Sequence, residues 1–333
     1  MLAPVVAHAG VGADLPPELT PGRLLTAWSF QPVPALVIAL TAALYVWGVV
    51  RLRRRGDRWS VGRSIAFVGL GMGSAVLATQ SWLGVYDDTL LWVHMLQHMV
   101  LNMLVPIFMA LGAPITLGLR ALPSRGRRVL LAALHSGVAK ALTFPVVAGL
   151  IFVLNPFILY FTGYYEATLR HPWLHDLNHL HFVLVGCLWF WPLLGLDPMP
   201  RRWPYGFRLL AAFATMPFHA WLGVAIMSQT SLIAGDWYAG LHRTWGPSLL
   251  QDQRIAGGLL WTAGEVVSLL VVGVIAVQWM QHSEREARRE DRRLDRLEAQ
   301  AAAAAQAGAA ALATADAPAA PVADGSARLR SGP

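Results

Sequence analysis

Seven stretches of this chain are apolar enough to cross a bilayer, and this limits what it can fold into. Hydrocarbon offers backbone groups no water, so a spanning segment must be a helix or part of a closed barrel. The stretches lie near Val33–Val50, Ser64–Trp82, Leu90–Leu119, Phe144–Phe161, His181–Leu196, Leu209–Met227 and Ile255–Gln281. A spanning helix needs about 17–25 apolar residues, against about 9–11 for a barrel strand. The expectation is an all-α polytopic membrane protein, a bundle of seven transmembrane helices.

The loops alternate in charge. Arg51, Arg53, Arg54, Arg55, Arg58 and Arg63 follow the first span, Arg120, Arg125, Arg127 and Arg128 the third, and Arg201, Arg202 and Arg208 the fifth. A run from Arg285 to Arg296 follows the last. The intervening loops hold few arginines beside Asp87, Asp88, Glu166, Asp176, Asp236 and Asp252. Basic loops stay cytoplasmic, which places the N-terminus outside and the C-terminus inside. The expected division is an extracytoplasmic segment over 1–32, a membrane domain over 33–281, and a cytoplasmic charged helix with a disordered Ala/Pro-rich tail over 282–333, the disorder starting at Ala299. Ala7-His8-Ala9 matches a signal-peptide cleavage pattern, but the apolar run before it is short and lacks a charged start.

Composition narrows the function. Only 14% of residues are charged and 56% are hydrophobic, whereas a soluble domain carries about 25% charged residues. The net charge of +7 comes from arginines segregated into one set of loops, so topology explains it and no nucleic-acid partner is expected. A lone cysteine, Cys187, excludes an intramolecular disulfide and a Cys-x-x-Cys site. Walker, nucleophile-elbow and zinc-protease motifs are missing, and the chain is not expected to be an enzyme.

The histidines carry the chemistry. His94 and His98 are four apart on one helical face, and His171, His175 and His179 share a stripe if the fifth helix starts early, with His181 on another side. All lie at the outer ends of their spans under the orientation above. Neutral imidazoles from two helices at one level suit copper, zinc or iron. Gln97, Asn102, Asp176 and Asn178 are candidates to orient the rings. Met95, Met99 and Met103 form a neighbouring stripe that is either soft-metal ligation or packing. His219, after Pro217, either ligates or bonds a carbonyl. Glu265 either assists an ion or forms a hydrogen-bond node near Asn155. Asn155-Pro156 is expected to interrupt the fourth span, and Asp252 and Gln253 to cap a helix or rim the site.

These residues resemble the CtaG family of cytochrome c oxidase assembly proteins. The likeness runs through His94-Met95-Leu96-Gln97-His98-Met99 with Ala113-Pro114, then His175–His181 leading to Trp189-Phe190-Trp191-Pro192. It continues in Asp252-Gln253, Ala256-Gly257-Gly258, Trp261 and Gly264-Glu265. The resemblance implies a multi-pass protein of a bacterial cell membrane. It also implies copper delivery to the copper B centre of the oxidase catalytic subunit, its partner, with His94, His98, His175 and His179 as the ligands. Two other readings stay open: a haem-binding membrane electron carrier, and a small-ion transporter built on His219, Glu265 and Asn155.

Overall fold

The computed structural model describes residues 15–315. The Ala7-His8-Ala9 motif and residues 316–333 lie outside them. Among the described residues the structure is helical, without strands. Two compact units are present, Met1–Val277 and Gln278–Pro333.

The first unit contains α1 (Pro32–Arg54), α2 (Val61–Tyr86), α3 (Leu91–Leu111), α4 (Pro145–Phe161), α5 (Pro172–Leu194), α6 (Tyr205–Ser228) and the start of α7 (Leu249–Ala315). Six of these are long and apolar enough to cross a membrane. A seventh span results if α4 and the short helix Tyr164–Arg170, bent 70° from it, count as one. The protein is thus a multi-pass helical membrane protein. Its outer faces are apolar, as with the exposed Leu36, Leu40 and Leu44 along α1, since lipid and not water is the solvent there.

Burial ranks the helices. In their apolar windows 67% of α3 and 56% of α5 is buried, against 22–33% for α1, α2, α6 and α7, so α3 and α5 form the central pair. The core around them includes Met95, Met99, Met103, Phe152, Phe182, Trp189 and Phe190. The methionine stripe is therefore core packing, with Met99 Cε set against Gly264 of α7.

Several boundaries differ from the sequence expectation. The third span ends at Leu111, and Ala113 adopts a left-handed conformation before a separate helix, Pro114–Ala121. Proline at a first helical position starts a helix more readily than it continues one. Asn155-Pro156 does not interrupt α4, which runs through Pro156 to Phe161. One missing N–H is tolerated where neighbouring helices pack against the segment. The bend falls at Thr162 and Gly163. The fifth span begins at Pro172 rather than His181, because its first turns carry polar residues that face inward. The basic segment after Pro114–Ala121 forms two short helices, Ser124–Leu134 and Gly137–Leu142, neither with a buried residue.

Proline and glycine decide how closely α3 and α5 approach. Pro106 has no N–H to bond the Asn102 carbonyl in the α pattern, and the helix widens to a π turn over Val100–Leu104. Gly186 of α5 packs onto that carbonyl: a Cβ there would stand 2.0 Å from Asn102 O and 2.5 Å from Pro106 Cγ. The α6–α7 crossing uses the same device, with Gly223 and Gly257 each packed on the other's carbonyl. Small residues permit such contacts between membrane helices.

The second unit is described over 278–315 as helix. Pairs one turn apart support it, including Arg288–Glu284 at 3.8 Å and Arg293–Glu290 at 3.2 Å. Residues 299–315, expected to be disordered, are helical: twelve of these seventeen are alanine, the strongest helix former.

Candidate metal centre

The first turns of α3 and α5 lie side by side at one end of the bundle and bring four imidazoles together. His94 and His98 stack edge to face with ring centroids 3.8 Å apart. His175 lies parallel to His94 at 5.4 Å, and His179 packs on His175 at 4.3 Å. All four are at most 4% exposed. The remaining expected histidines stay outside. His171 precedes α5 and is exposed, and His181 faces away to bond Asn155 Oδ1 at 2.9 Å.

The four do not form one ligand set. Ring nitrogens of His94, His98 and His175 lie within 4.8 Å of one another. A second set, within the same limit, consists of Asp87, His175 and His179. His175 belongs to both. A tetrahedral ion with bonds of about 2.0 Å holds its donors about 3.3 Å apart, so the rings would close by about 1.5 Å at most. Asp87 is the candidate that sequence reasoning missed: it reads as an acidic loop residue, and only the fold turns it inward, 1% exposed and 4.0 Å from His175 Nε2.

The surrounding hydrogen bonds assign donor atoms. Gln97 Nε2 donates to Asp87 Oδ2 at 2.7 Å and to the Ala78 carbonyl at 3.0 Å. Its Oε1 therefore faces His179 Nε2, 3.0 Å away, and an amide oxygen only accepts. The His179 proton accordingly sits on Nε2, leaving Nδ1 as the lone-pair atom. His98 Nδ1 is 3.1 Å from the Tyr160 hydroxyl. In the tautomer that donates to Tyr160, Nε2 is a bare lone pair with no other hydrogen-bond partner. Neither ring nitrogen of His94 makes a hydrogen bond of ordinary geometry, although the Asp87 backbone lies close by. Buried polar atoms without partners cost about 1–3 kcal/mol each, and a donor set of this kind fits a transition metal. Among the described residues Asn102 Oδ1 and the Asn178 amide also lack partners, whereas Gln97 bonds a ring directly.

Aromatic residues close the cage. Tyr165 packs on His94 at 4.6 Å and bonds the Tyr238 hydroxyl at 2.5 Å, while Phe182 lies against His98 at 4.3 Å. The Asp87 loop forms the remaining wall, held by Trp237 Nε1 donating to the Asp88 carbonyl at 2.8 Å. Burial first, and then the Asp88 charge, push the Asp87 carboxyl well above the ordinary carboxylate range. A cation at the site reverses that balance by favouring the ionised form.

Most of the other candidates have structural partners. Asp252 accepts from Leu91 N at 3.2 Å and Trp92 N at 2.9 Å, so it caps α3 rather than its own helix, with Arg243 at 3.4 Å. Asp197, unnoticed in the sequence, does the same at Pro114–Ala121 through Ile115 N and Thr116 N. Gln253 accepts from Ile233 N at 2.8 Å. His219 bonds the Thr215 carbonyl at 3.3 Å. Glu265 is half-buried and makes no hydrogen bond among the described residues, and Asn155 pairs with His181 instead.

The fold and site thus define a multi-pass helical membrane protein with a buried histidine and carboxylate cluster at one end. More narrowly, the chain belongs to the cytochrome c oxidase caa3 assembly factor family, whose profile matches residues 43–282. It is similar to proteins of Mycobacterium bovis and Mycobacterium tuberculosis, 38% identical over 292 residues, which is 86% of this chain and 44% of each relative. A Mycobacterium leprae protein is 37% identical over the same shares. Each is named only as uncharacterized, and the chain spans less than half the length of these curated relatives. No solved structure matches it.

Proposed function

We propose that this chain holds copper as cargo between α3 and α5 and passes it to the catalytic subunit of cytochrome c oxidase, for its copper B centre. The observation that carries the reading is the convergence of His94, His98 and His175 from two helices, where among the described residues His98 Nε2 and the ring nitrogens of His94 make no hydrogen bond of ordinary geometry. Imidazole ligands suit copper, and the family supplies the oxidase as client. The arginine-rich loops support a cluster at the extracytoplasmic end of a bacterial plasma-membrane protein. The role is that of a metal chaperone and not an enzyme.

The test is copper content of the purified full-length chain loaded under reducing conditions. Stoichiometric copper that is lost in the His94→Ala/His98→Ala double variant supports the reading, as does reduced assembled oxidase in a strain lacking the chain. Equal copper in wild type and double variant, or normal oxidase copper in that strain, overturns it.

A further inference from the structure

We propose that Asp87, His175 and His179 form a second cation position, which takes a divalent ion, beside the all-imidazole position of His94, His98 and His175, which takes Cu(I). This rests on the copper reading above and deepens it by assigning ion charge to each ligand set.

Charge is the first argument. The cost of burying an ion rises as the square of its net charge. Three neutral imidazoles around Cu(I) leave one positive charge, whereas around Cu(II) they leave two. The Asp87 carboxylate cancels one charge of a divalent ion, so the second set with Cu(II) again leaves one. Donor chemistry agrees, since mixed nitrogen and oxygen sets are those of Cu(II) and Ni(II).

Placement is the second argument. Gln97 bonds Asp87 Oδ2 and His179 Nε2 at once, so one side chain positions two of the three ligands and directs His179 Nδ1 to the ion. No such brace joins Asp87 to His94 or His98. His179 also borders a groove of about 610 Å³ between α1, α2, α3 and α5, which Trp173, Asp176 and Leu180 also line. His94 and His98 do not line it. Both sets draw on His175, so its loss removes a ligand from each position.

The experiment compares affinities of the full-length protein in detergent for Cu(I), by anaerobic competition with a chromophoric chelator, and for Cu(II), by electron paramagnetic resonance. Asp87→Asn keeps the acceptor for Gln97 but removes the charge. It should weaken Cu(II) at least about tenfold more than Cu(I) and change the Cu(II) spectrum; His179→Ala should show the same selectivity. His94→Ala should act mainly on Cu(I), and His175→Ala on both. Equal losses for the two ions in both Asp87→Asn and His179→Ala, or an unchanged Cu(II) spectrum in Asp87→Asn, overturn the second position. Wild type that binds Cu(I) but no Cu(II) also defeats this inference alone, whereas wild type that binds neither defeats the copper reading itself.

Discussion

Gly186 of α5 rests directly on the carbonyl of Asn102 in α3, so a methyl group at this position would stand 2.0 Å from the oxygen. The helices that meet there are the ones that carry the two histidine pairs. Gly186→Ala must push them apart, and forcing a methyl into a packed core costs about 1–3 kcal/mol. The expected outcome is a lower unfolding temperature in detergent together with copper affinity reduced about tenfold or more. Gly163→Ala is the control: nothing lies within 4 Å of its added Cβ, and it should change neither.

Gln97 braces His179 and Asp87 without being a ligand. Gln97→Leu keeps the volume but leaves a buried carboxyl and an imidazole N–H without their partner. Loss of such an outer support lowers metal affinity about 10–100-fold. A divalent ion titration of the variant, beside its thermal unfolding, checks this. Unchanged Cu(II) affinity would show that the brace does not set the ligand geometry.

Asp252 and Asp197 perform the same task at two different helix starts, and they separate stability from metal binding. Losing an N-terminal cap costs about 0.5–2 kcal/mol. Asp252→Ala should destabilise by at least this much, since it also removes the carboxylate beside the buried Arg243 guanidinium, and should weaken copper because α3 begins three residues before His94. Asp197→Ala should destabilise to a similar degree while copper affinity holds. Unfolding curves and copper titrations of both variants make the comparison.

Asp87 gives the metal-free protein a pH dependence. Its carboxyl lies well above the ordinary range in the folded state, so the folded chain binds its proton more tightly than the unfolded chain. Stability from this group is present at acid pH and is lost as pH rises from the ordinary carboxylate range through the folded value. Asp87→Asn should therefore be more stable than wild type at alkaline pH, with the difference shrinking toward acid pH. Thermal unfolding of both metal-free proteins across pH decides it.

Membrane helices and the histidine stripe were legible from sequence because hydropathy and a four-residue spacing are local properties. His94 with His98, and His175 with His179, are each one turn apart whatever the rest of the chain does, provided the segment is helical. The break at Thr162-Gly163 was not legible, because Asn155-Pro156 is the stronger local signal and neighbouring helices override it. Nor were the caps from Asp252 and Asp197 to distant helices, since a cap 160 residues away leaves no spacing to read.

The sequence alone determined that this chain is a helical membrane protein and that two of its helices present imidazoles near one end, since both follow from apolar run length and helical period. Tertiary structure decided how those imidazoles are shared. The close α3–α5 contact at Gly186 sets the ring separations, and the inward turn of the loop before α3 supplies Asp87. That contact depends on a carbonyl freed by Pro106 and a glycine eighty residues further on, and such a pairing exists only once the helices have packed.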